Sequence, residues 1–349
     1  MRRQPRIGII GAAHLAHAIS YGQCLQRAGA TVVGVYDPDP RLCQAVAGRL
    51  VDVPVFNDQE VLIGQQSLDA VVIAGTTDQH LVSVRYAAAA GLHVLCEKPL
   101  ATNLENAQEI ARVCEAAGVQ LHVAFVCRFY PMVQEVQRVL LERPADPIVG
   151  MVGGNRGRPP LPPGYPHWIT DPKHAGGGAL LDHAVHVIDV MRYVSGAEVT
   201  RVRAEAGTLF CSGLAVDDAA LLLLEFTNGM VASIDPSWSV PAGSRYHYDF
   251  YLRILTGSGY LDLDDRREAL EVTSDKHAGR PTTLLPFGKS VDSRMIEHFL
   301  DCVATQRFVQ PAASGEDGVK AVEVALAAYE SAELGVSVEL PSSPVRERT

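Results

Sequence analysis

Arg6-Ile-Gly-Ile-Ile-Gly-Ala-Ala-His-Leu-Ala16 joins a short apolar run to a glycine and then to a helical pattern that continues to about Arg27. Strand, tight turn and helix in that order open a dinucleotide-binding βαβ unit. Gly11 permits the turn. The helix N-terminus offers free N–H groups and the positive end of its dipole to a pyrophosphate. The loop residues expected to meet a dinucleotide are Gly11, Ala12, Ala13, His14 and Leu15. Ala16 stands for the third glycine of the fingerprint, an accepted variant. Ala13 stands for the second, and its methyl group sits where backbone should approach phosphate. Taken alone, the stretch also reads as a structural turn.

The pattern continues outward. Thr31–Tyr36 reads as a second strand with Asp37 at its end, placed to accept hydrogen bonds from ribose hydroxyls and to repel a 2′-phosphate. This favours NAD, while nearby Arg41 keeps NADP possible. Asp37-Pro-Asp-Pro40 also reads as a turn capping the next helix. Further strands are expected at Val53–Phe56, Leu68–Ala74, within Gly91–Cys96, and at Val119–Ala124, with helices at Leu81–Ala90 and Asn103–Ala117. Gly118 is a helix-ending signal. Six strands with intervening helices predict a doubly wound parallel sheet. Thr76, Thr77 and His80 fall in a strand-end loop facing its crevice, and are expected at the cofactor. In Gly91-Leu-His-Val-Leu-Cys-Glu-Lys-Pro-Leu-Ala101 the strand must stop before Pro99, so Glu97 and Lys98 stand at its carboxyl end.

Composition bounds the partners. The chain has 349 residues, enough for two domains, and is 47% hydrophobic and 20% charged. Its net charge of -10 argues against nucleic acid or an anionic membrane as partner. Seven scattered cysteines without a CxxC fit a reducing compartment. The short apolar run after Met1-Arg-Arg-Gln-Pro-Arg6 is too short for a secretory signal, and a cytoplasmic location is expected.

After about Phe125 the βα rhythm breaks. A helix is expected to about Glu142, then a Gly- and Pro-rich loop over residues 153–178 containing His167 and Trp168. Gly176-Gly-Gly178 opens a helix, Ala179–Tyr193, in which Asp182 and His186 are spaced i, i+4 on one face. A carboxylate beside an imidazole suits acid–base chemistry; a solvated histidine on an amphipathic helix is the plainer reading. Asp182, His183 and His186 raise a metal question, but neighbouring helix positions diverge and the spacing matches no metal motif, so no metal is expected. Thr200 to about Leu285 reads as antiparallel strands, with a hairpin turn at Asn228-Gly229 and another turn at Thr256–Gly259. Val291–Ala304 and Gly315–Leu334 read as closing helices.

Taken together, Ile7-Gly-Ile-Ile-Gly11, Asp37-Pro-Asp-Pro40, Asp69–Ala74, Glu97-Lys-Pro-Leu-Ala101, Gly176–Asp182 with His186, and Ser314-Gly-Glu-Asp-Gly318 resemble the glucose–fructose oxidoreductase / inositol dehydrogenase / rhizopine catabolism (Gfo/Idh/MocA) family of NAD(P)-dependent oxidoreductases. The resemblance runs over nearly the whole chain in order. It implies a Rossmann domain over residues 1–124. An α+β domain with an open, mainly antiparallel sheet, for substrate binding and oligomerisation, follows over 125–349. A homodimer or homotetramer is implied, as is a cis Lys98–Pro99 bond. Lys98, Asp182 and His186 match the family's catalytic positions. Lys98 holds the substrate hydroxyl, His186 acts as base, and Asp182 supports it. Arg128, Trp168 and His183 are expected to line the substrate pocket. The activity implied is hydride transfer between NAD(P) and a secondary hydroxyl of a polyol or sugar. The alternatives are a dinucleotide-binding regulator without turnover and an NAD-dependent glycosidase.

Overall fold

The computed structural model describes residues 3–65, 67–162, 165–267, 269–273, 282–286 and 288–341. Met1, Arg2, Pro163 and Gly164, which enter the readings of the N-terminus and of the Gly/Pro-rich loop, lie outside the described residues. The chain divides into two compact units. The first comprises residues up to Val126, Pro162–Gly176 and Val291–Val322; the second comprises Cys127–Leu161, Gly177–Ser290 and the chain from Glu323 onward. Compared with the expected division at 124/125, two later stretches join the first unit.

The first unit is built on β1 (Arg6–Ile10), α1 (Leu15–Arg27), β2 (Thr31–Tyr36), α2 (Pro40–Ala47), β3 (Val55–Phe56), α3 (Gln59–Ile63), β4 (Ala70–Ile73), α4 (His80–Ala89), β5 (His93–Cys96), α5 (Leu104–Ala116) and β6 (Leu121–Val123). The strands pair in parallel in the order β6-β5-β4-β1-β2-β3, and an antiparallel strand Ala313–Ser314 is added beside β6. Every residue of β4 and β5 is buried, as befits strands covered on both faces. The strand order reverses between β1 and β4, so the loops after these two strands meet at the switch point. The added strand belongs to the Ser314–Gly318 motif, where Asp317 accepts from the Ser314 amide at 2.9 Å and caps the helix Gly315–Leu334.

The second unit has α6 (Pro131–Glu142), β7 (Ile148–Gly157), β8 (Val199–Gly207), β9 (Ala219–Phe226), β10 (Val231–Asp235), β11 (Tyr248–Thr256) and β12 (Tyr260–Asp264). These strands form one sheet in the order β12-β11-β7-β10-β9-β8, closed at the edge by Val338–Glu339. Pairing is antiparallel except between β10 and β7. A separate hairpin pairs Ala269–Thr273 with Thr282–Pro286. Gly229 makes the β9–β10 turn at φ +80°.

Residues 153–157, expected in the Gly/Pro-rich loop, are instead the end of β7. Glycine normally weakens a strand, but here it admits a close neighbour. A Cβ at Gly153 would stand about 3 Å from Leu252, Met191 and Val187, so the helix Val185–Ser195 packs directly on this strand. Among the described residues no helix is long and apolar enough to cross a membrane.

Candidate functional site

In the first unit the β1 turn is fixed by backbone contacts. Gly11 has φ +83° and donates its N–H to Tyr36 at 2.6 Å. Any Cβ there would lie 2.3 Å from the Gly75 nitrogen, so glycine is required both by its dihedral angle and by the crossing of the two strand-end loops. His14 donates its backbone N–H to the Ala74 carbonyl at 3.1 Å, joining the same two loops. The N-cap residue of α1, His14, makes no side-chain capping hydrogen bond, and the first amides of the helix suit an anion. Ala13, whose methyl group raised doubt, is small and nearly buried, and its carbonyl accepts the Trp168 indole N–H at 2.9 Å. A glycine-turn cradle, first-turn helix amides and an acidic residue at the end of β2 fit a dinucleotide.

That acidic residue is Asp37, which is buried. One carboxylate oxygen accepts from Ala12 N–H at 2.6 Å and the other from Asp39 N–H at 2.8 Å. It thus braces the loop as well as lying at the ribose position. Arg41 is exposed, and its guanidinium is held by Asp39 at 2.7 Å. The side-chain hydrogen bonds from Arg41 hold the Asp39 carboxyl below its usual range.

Lys98 lies 8% exposed at the end of β5, before a cis Pro99. Its backbone N–H donates to Glu97 Oε2 at 3.0 Å, and Glu97 Oε1 takes His17 Nδ1 at 2.7 Å. Burial works against ionisation of Glu97. The charge and hydrogen bond of His17, with His14 and Lys98, outweigh it and hold the carboxyl far below its usual range. Burial would likewise depress His17, but Glu97 raises it above its ordinary value. His14 stacks on His17 at 3.7 Å and meets Trp168 edge-on at 6.1 Å. His17 was not anticipated; its spacing from His14, i to i+3, was the available signal.

Thr76 donates to Asp78, whose other oxygen takes His174 Nδ1 at 3.0 Å, and Thr77 is buried. His80 is buried with Nδ1 3.2 Å from the Leu100 carbonyl. Burial pushes its pKa down, so it is a neutral imidazole whose Nδ1 bears the hydrogen.

In the second unit the glycine run is fastened by Asp217. Its carboxylate accepts from Gly178 N at 3.0 Å, Leu180 N at 2.8 Å and Tyr329 Oη at 2.6 Å, and its carbonyl accepts from Ala179 N at 2.9 Å. A Cβ at Gly178 would lie 1.9 Å from that carbonyl oxygen. Burial raises the Asp217 carboxyl pKa, and these hydrogen bonds pull it back in part. Asp217 and Tyr329 carry no motif that marks them in the sequence.

The helix then begins with a π turn, Leu180–Ala184, before the α-helix Val185–Ser195. Such wide turns concentrate at functional sites. His186 is buried, which excludes the solvated-histidine reading. The expectation that Asp182 and His183 diverge is overturned. His183 Nε2 lies 3.2 Å from Asp182 Oδ2, and its Nδ1 lies 2.8 Å from the Asn155 carbonyl. Arg128, expected to line the substrate pocket, is a buried residue of the second unit. It is 1% exposed and pairs bidentately with Asp189 at 2.7 and 2.6 Å, so its guanidinium is spent on a buried ion pair over the Tyr193 ring. Trp168, likewise expected at the substrate, belongs to the nucleotide loop of the first unit through its bond to Ala13.

Comparison with known proteins identifies the family. A model described as an oxidoreductase family with an NAD-binding Rossmann fold matches residues 5–125, and one described as the GFO/IDH/MocA C-terminal domain matches residues 149–259. D-xylose 1-dehydrogenase (NADP(+)) 2 of Haloferax volcanii is 30% identical over 95% of this chain and 99% of its own. Myo-inositol 2-dehydrogenase of Thermotoga maritima is 30% identical over 82% of this chain and 84% of its own. The solved structure of GenD2 from gentamicin A biosynthesis in complex with NAD has the same fold, with a TM-score of 0.86 over 98% of each chain at 22% identity.

Proposed function

Because the chain belongs to the GFO/IDH/MocA oxidoreductase family, with its NAD-binding Rossmann fold, we propose that it is a dehydrogenase that moves hydride between NAD and a CH–OH carbon of a sugar or polyol. The observation that carries this reading is Lys98. It is a buried lysine at the carboxyl end of β5, in the same unit as the dinucleotide turn, with its backbone held by Glu97. A regulator that only binds a nucleotide has no use for it. The two relatives named above supply the substrate class, since each is named for a hydroxylated substrate, D-xylose or myo-inositol.

The nicotinamide, when bound, supplies the hydride-accepting centre; the chain supplies position and proton handling. Gly11, Ala12, Ala13, His14 and Leu15 present the turn and helix amides to the pyrophosphate. Asp37 takes the ribose hydroxyls with its remaining lone pairs. Thr76, Thr77, His80 and Glu97 shape the nicotinamide end. Lys98 donates to the substrate hydroxyl, His186 removes its proton, and Asp182 orients that exchange. The Asp39 carboxylate already holds the Arg41 guanidinium, so a 2′-phosphate gains little there. This supports NAD over NADP, although the Haloferax relative is named for NADP(+).

Two further features belong to this reading. Leu221, Leu223 and Val231 are each more than half exposed on one face of the second sheet, between Arg201, Arg203 and Glu225. An apolar patch with both charges at its rim suits a second copy of this chain, and sedimentation at micromolar concentration would show a dimer or larger. Seven free thiols suit the cytoplasm, and fractionation of cells would locate the protein.

The test is NADH formation at 340 nm with NAD and a panel that includes D-xylose and myo-inositol. Turnover is expected with at least one sugar or polyol. Lys98→Ala should bind NADH normally while losing at least about tenfold in kcat/KM. NADH binding with no turnover across the panel, or turnover untouched by Lys98→Ala, would return the chain to the regulator reading.

A further inference from the structure

His17 lies in the first turn of α1, and its side chain is 35% exposed, so its protons exchange with solvent. Its Nδ1 is hydrogen-bonded to Glu97 Oε1 at 2.7 Å. An ionised carboxylate only accepts, so Nδ1 is the donor, and the ring gains or loses its second proton at Nε2. The bond to Glu97 therefore persists in both states of the ring, while the net charge of the pair changes by one. Glu97 is 2% exposed, and its other oxygen accepts the Lys98 backbone N–H at 3.0 Å. The whole pair belongs to the first unit.

Among the described residues, the charged groups facing the His17 ring are Glu97 and Lys98 after β5 and Asp292 on the helix Val291–Thr305. Asp292 accepts from the Ser20 hydroxyl of α1. On α1 itself, the His14 imidazole stacks on the ring at 3.7 Å and Tyr21 stands tilted at 5.5 Å. Burial and Glu97 push the Tyr21 phenol far up, so it stays neutral. Burial would lower the His17 pKa; Glu97 and then Asp292 outweigh it and Lys98, and set it above the ordinary 6.5.

Strand order gives the direction of the dinucleotide. β1 lies between β2 and β4, and β5 lies beyond β4. With the adenosine ribose at Asp37 after β2 and the pyrophosphate at the β1 turn, the nicotinamide falls on the β4–β5 side, where Glu97 stands. Oxidised and reduced NAD differ there by one charge, because the oxidised ring is a cation and the reduced ring is neutral. A buried carboxylate without a counter-charge favours the cation, and an imidazolium beside that carboxylate cancels the preference.

We propose that His17 is the residue that sets which redox form of the dinucleotide this protein binds more tightly. With its imidazolium formed, Glu97 is neutralised and the oxidised ring has no advantage. Once the second proton leaves, Glu97 favours NAD over NADH. His17 acts through Glu97, as a positioning residue. The cofactor's identity and placing rest on the dehydrogenase reading; the charge pair does not.

The experiment is calorimetric titration with NAD and with NADH at pH 6 and pH 9, read as the ratio Kd(NAD)/Kd(NADH). The pyrophosphate is common to both ligands, so its attraction to any cation cancels in the ratio. A unit charge about 6 Å away is worth about threefold even at the dielectric of water. In wild type the ratio is expected to fall at least about threefold between pH 6 and pH 9. In His17→Gln it should sit at the low value already at pH 6 and change less than about 1.5-fold with pH. A flat ratio in wild type, or one that moves as far in His17→Gln, would overturn the proposal. Linkage supplies a second reading on the wild-type protein alone, since His17 must then titrate at lower pH with NAD bound than with NADH bound. 15N-edited NMR of the histidine rings follows this, with His17 assigned from its backbone, and equal titration in the two complexes would overturn the proposal. If neither dinucleotide binds, the dehydrogenase reading fails and takes the proposal with it; binding with a ratio independent of pH overturns this inference alone.

Discussion

Gly178→Ala isolates the Asp182 helix from the nucleotide loops. The added Cβ would stand 1.9 Å from the Asp217 carbonyl oxygen, where ordinary contact begins near 3.4 Å. The obstacle is backbone, so the helix entry must move by about 1.5 Å, the difference between those two distances. The bonds from Gly178 N at 3.0 Å and Ala179 N at 2.9 Å cannot survive that shift. Two net hydrogen bonds are worth about 1–3 kcal/mol together, and overpacking adds about 1–3 kcal/mol. A loss of about 2–6 kcal/mol is expected in urea denaturation. A misplacement of about 1 Å at a reacting group costs on the order of 100-fold in rate, so kcat should fall by that order. NADH affinity should stay within about twofold, because the dinucleotide turn belongs to the other unit. Tyr329→Phe is the gentler companion. It deletes only the hydroxyl that donates to Asp217 at 2.6 Å, for about 1 kcal/mol. A Gly178→Ala protein with stability within about 0.5 kcal/mol of wild type and unchanged kcat would refute the reasoning, as would one whose NADH binding falls in step with kcat.

Two other consequences follow from buried charge. Arg128→Ala removes the guanidinium from the buried Asp189 carboxylate, so a loss of about 3–5 kcal/mol is expected in denaturant titration, with NADH binding retained; a change below 1 kcal/mol would contradict the ion-pair reading. For the His17–Glu97 pair, the raised His17 contributes stability that is complete below its unfolded value of 6.5 and is lost as pH rises through its folded value. The lowered Glu97 contributes above its unfolded value of 4.5, and that part is lost as pH falls toward its folded value. His17→Gln should therefore be less stable than wild type near pH 6, with the gap closing as pH rises; a gap independent of pH would sink the assignment.

The Rossmann half was legible because it repeats local signals: apolar runs with a glycine or an acidic residue at each strand end, set by backbone needs that one residue type satisfies. Gly11 is the clearest case, since both its dihedral angle and its contact with Gly75 demand it. The glycines of β7 misled for the opposite reason. Their cause is a helix packed against the strand from more than 30 residues on, at Val187 and Met191, which a local window reads as loop. Arg128 shows the same long-range dependence: a local window cannot reveal that its guanidinium pairs with Asp189, 61 residues along the chain.

Asp182 and His183 pose the subtler problem. Helical spacing singled out the Asp182–His186 segment, but it assumed an α-helical repeat through a turn that is π. Spacing arguments fix direction only as well as they fix the turn. In an α-helix neighbouring side chains point about 100° apart, so an α-helical repeat predicts that residues 182 and 183 do not serve as ligands of one metal. The wide turn follows from the entry before it. Asp217 fastens three successive amides, from Gly178 to Leu180, and so sets where the first helical turn begins. The pairing of Asp182 with His183 thus depends on a carboxylate more than 30 residues away, and no periodicity within the helix itself carries that information.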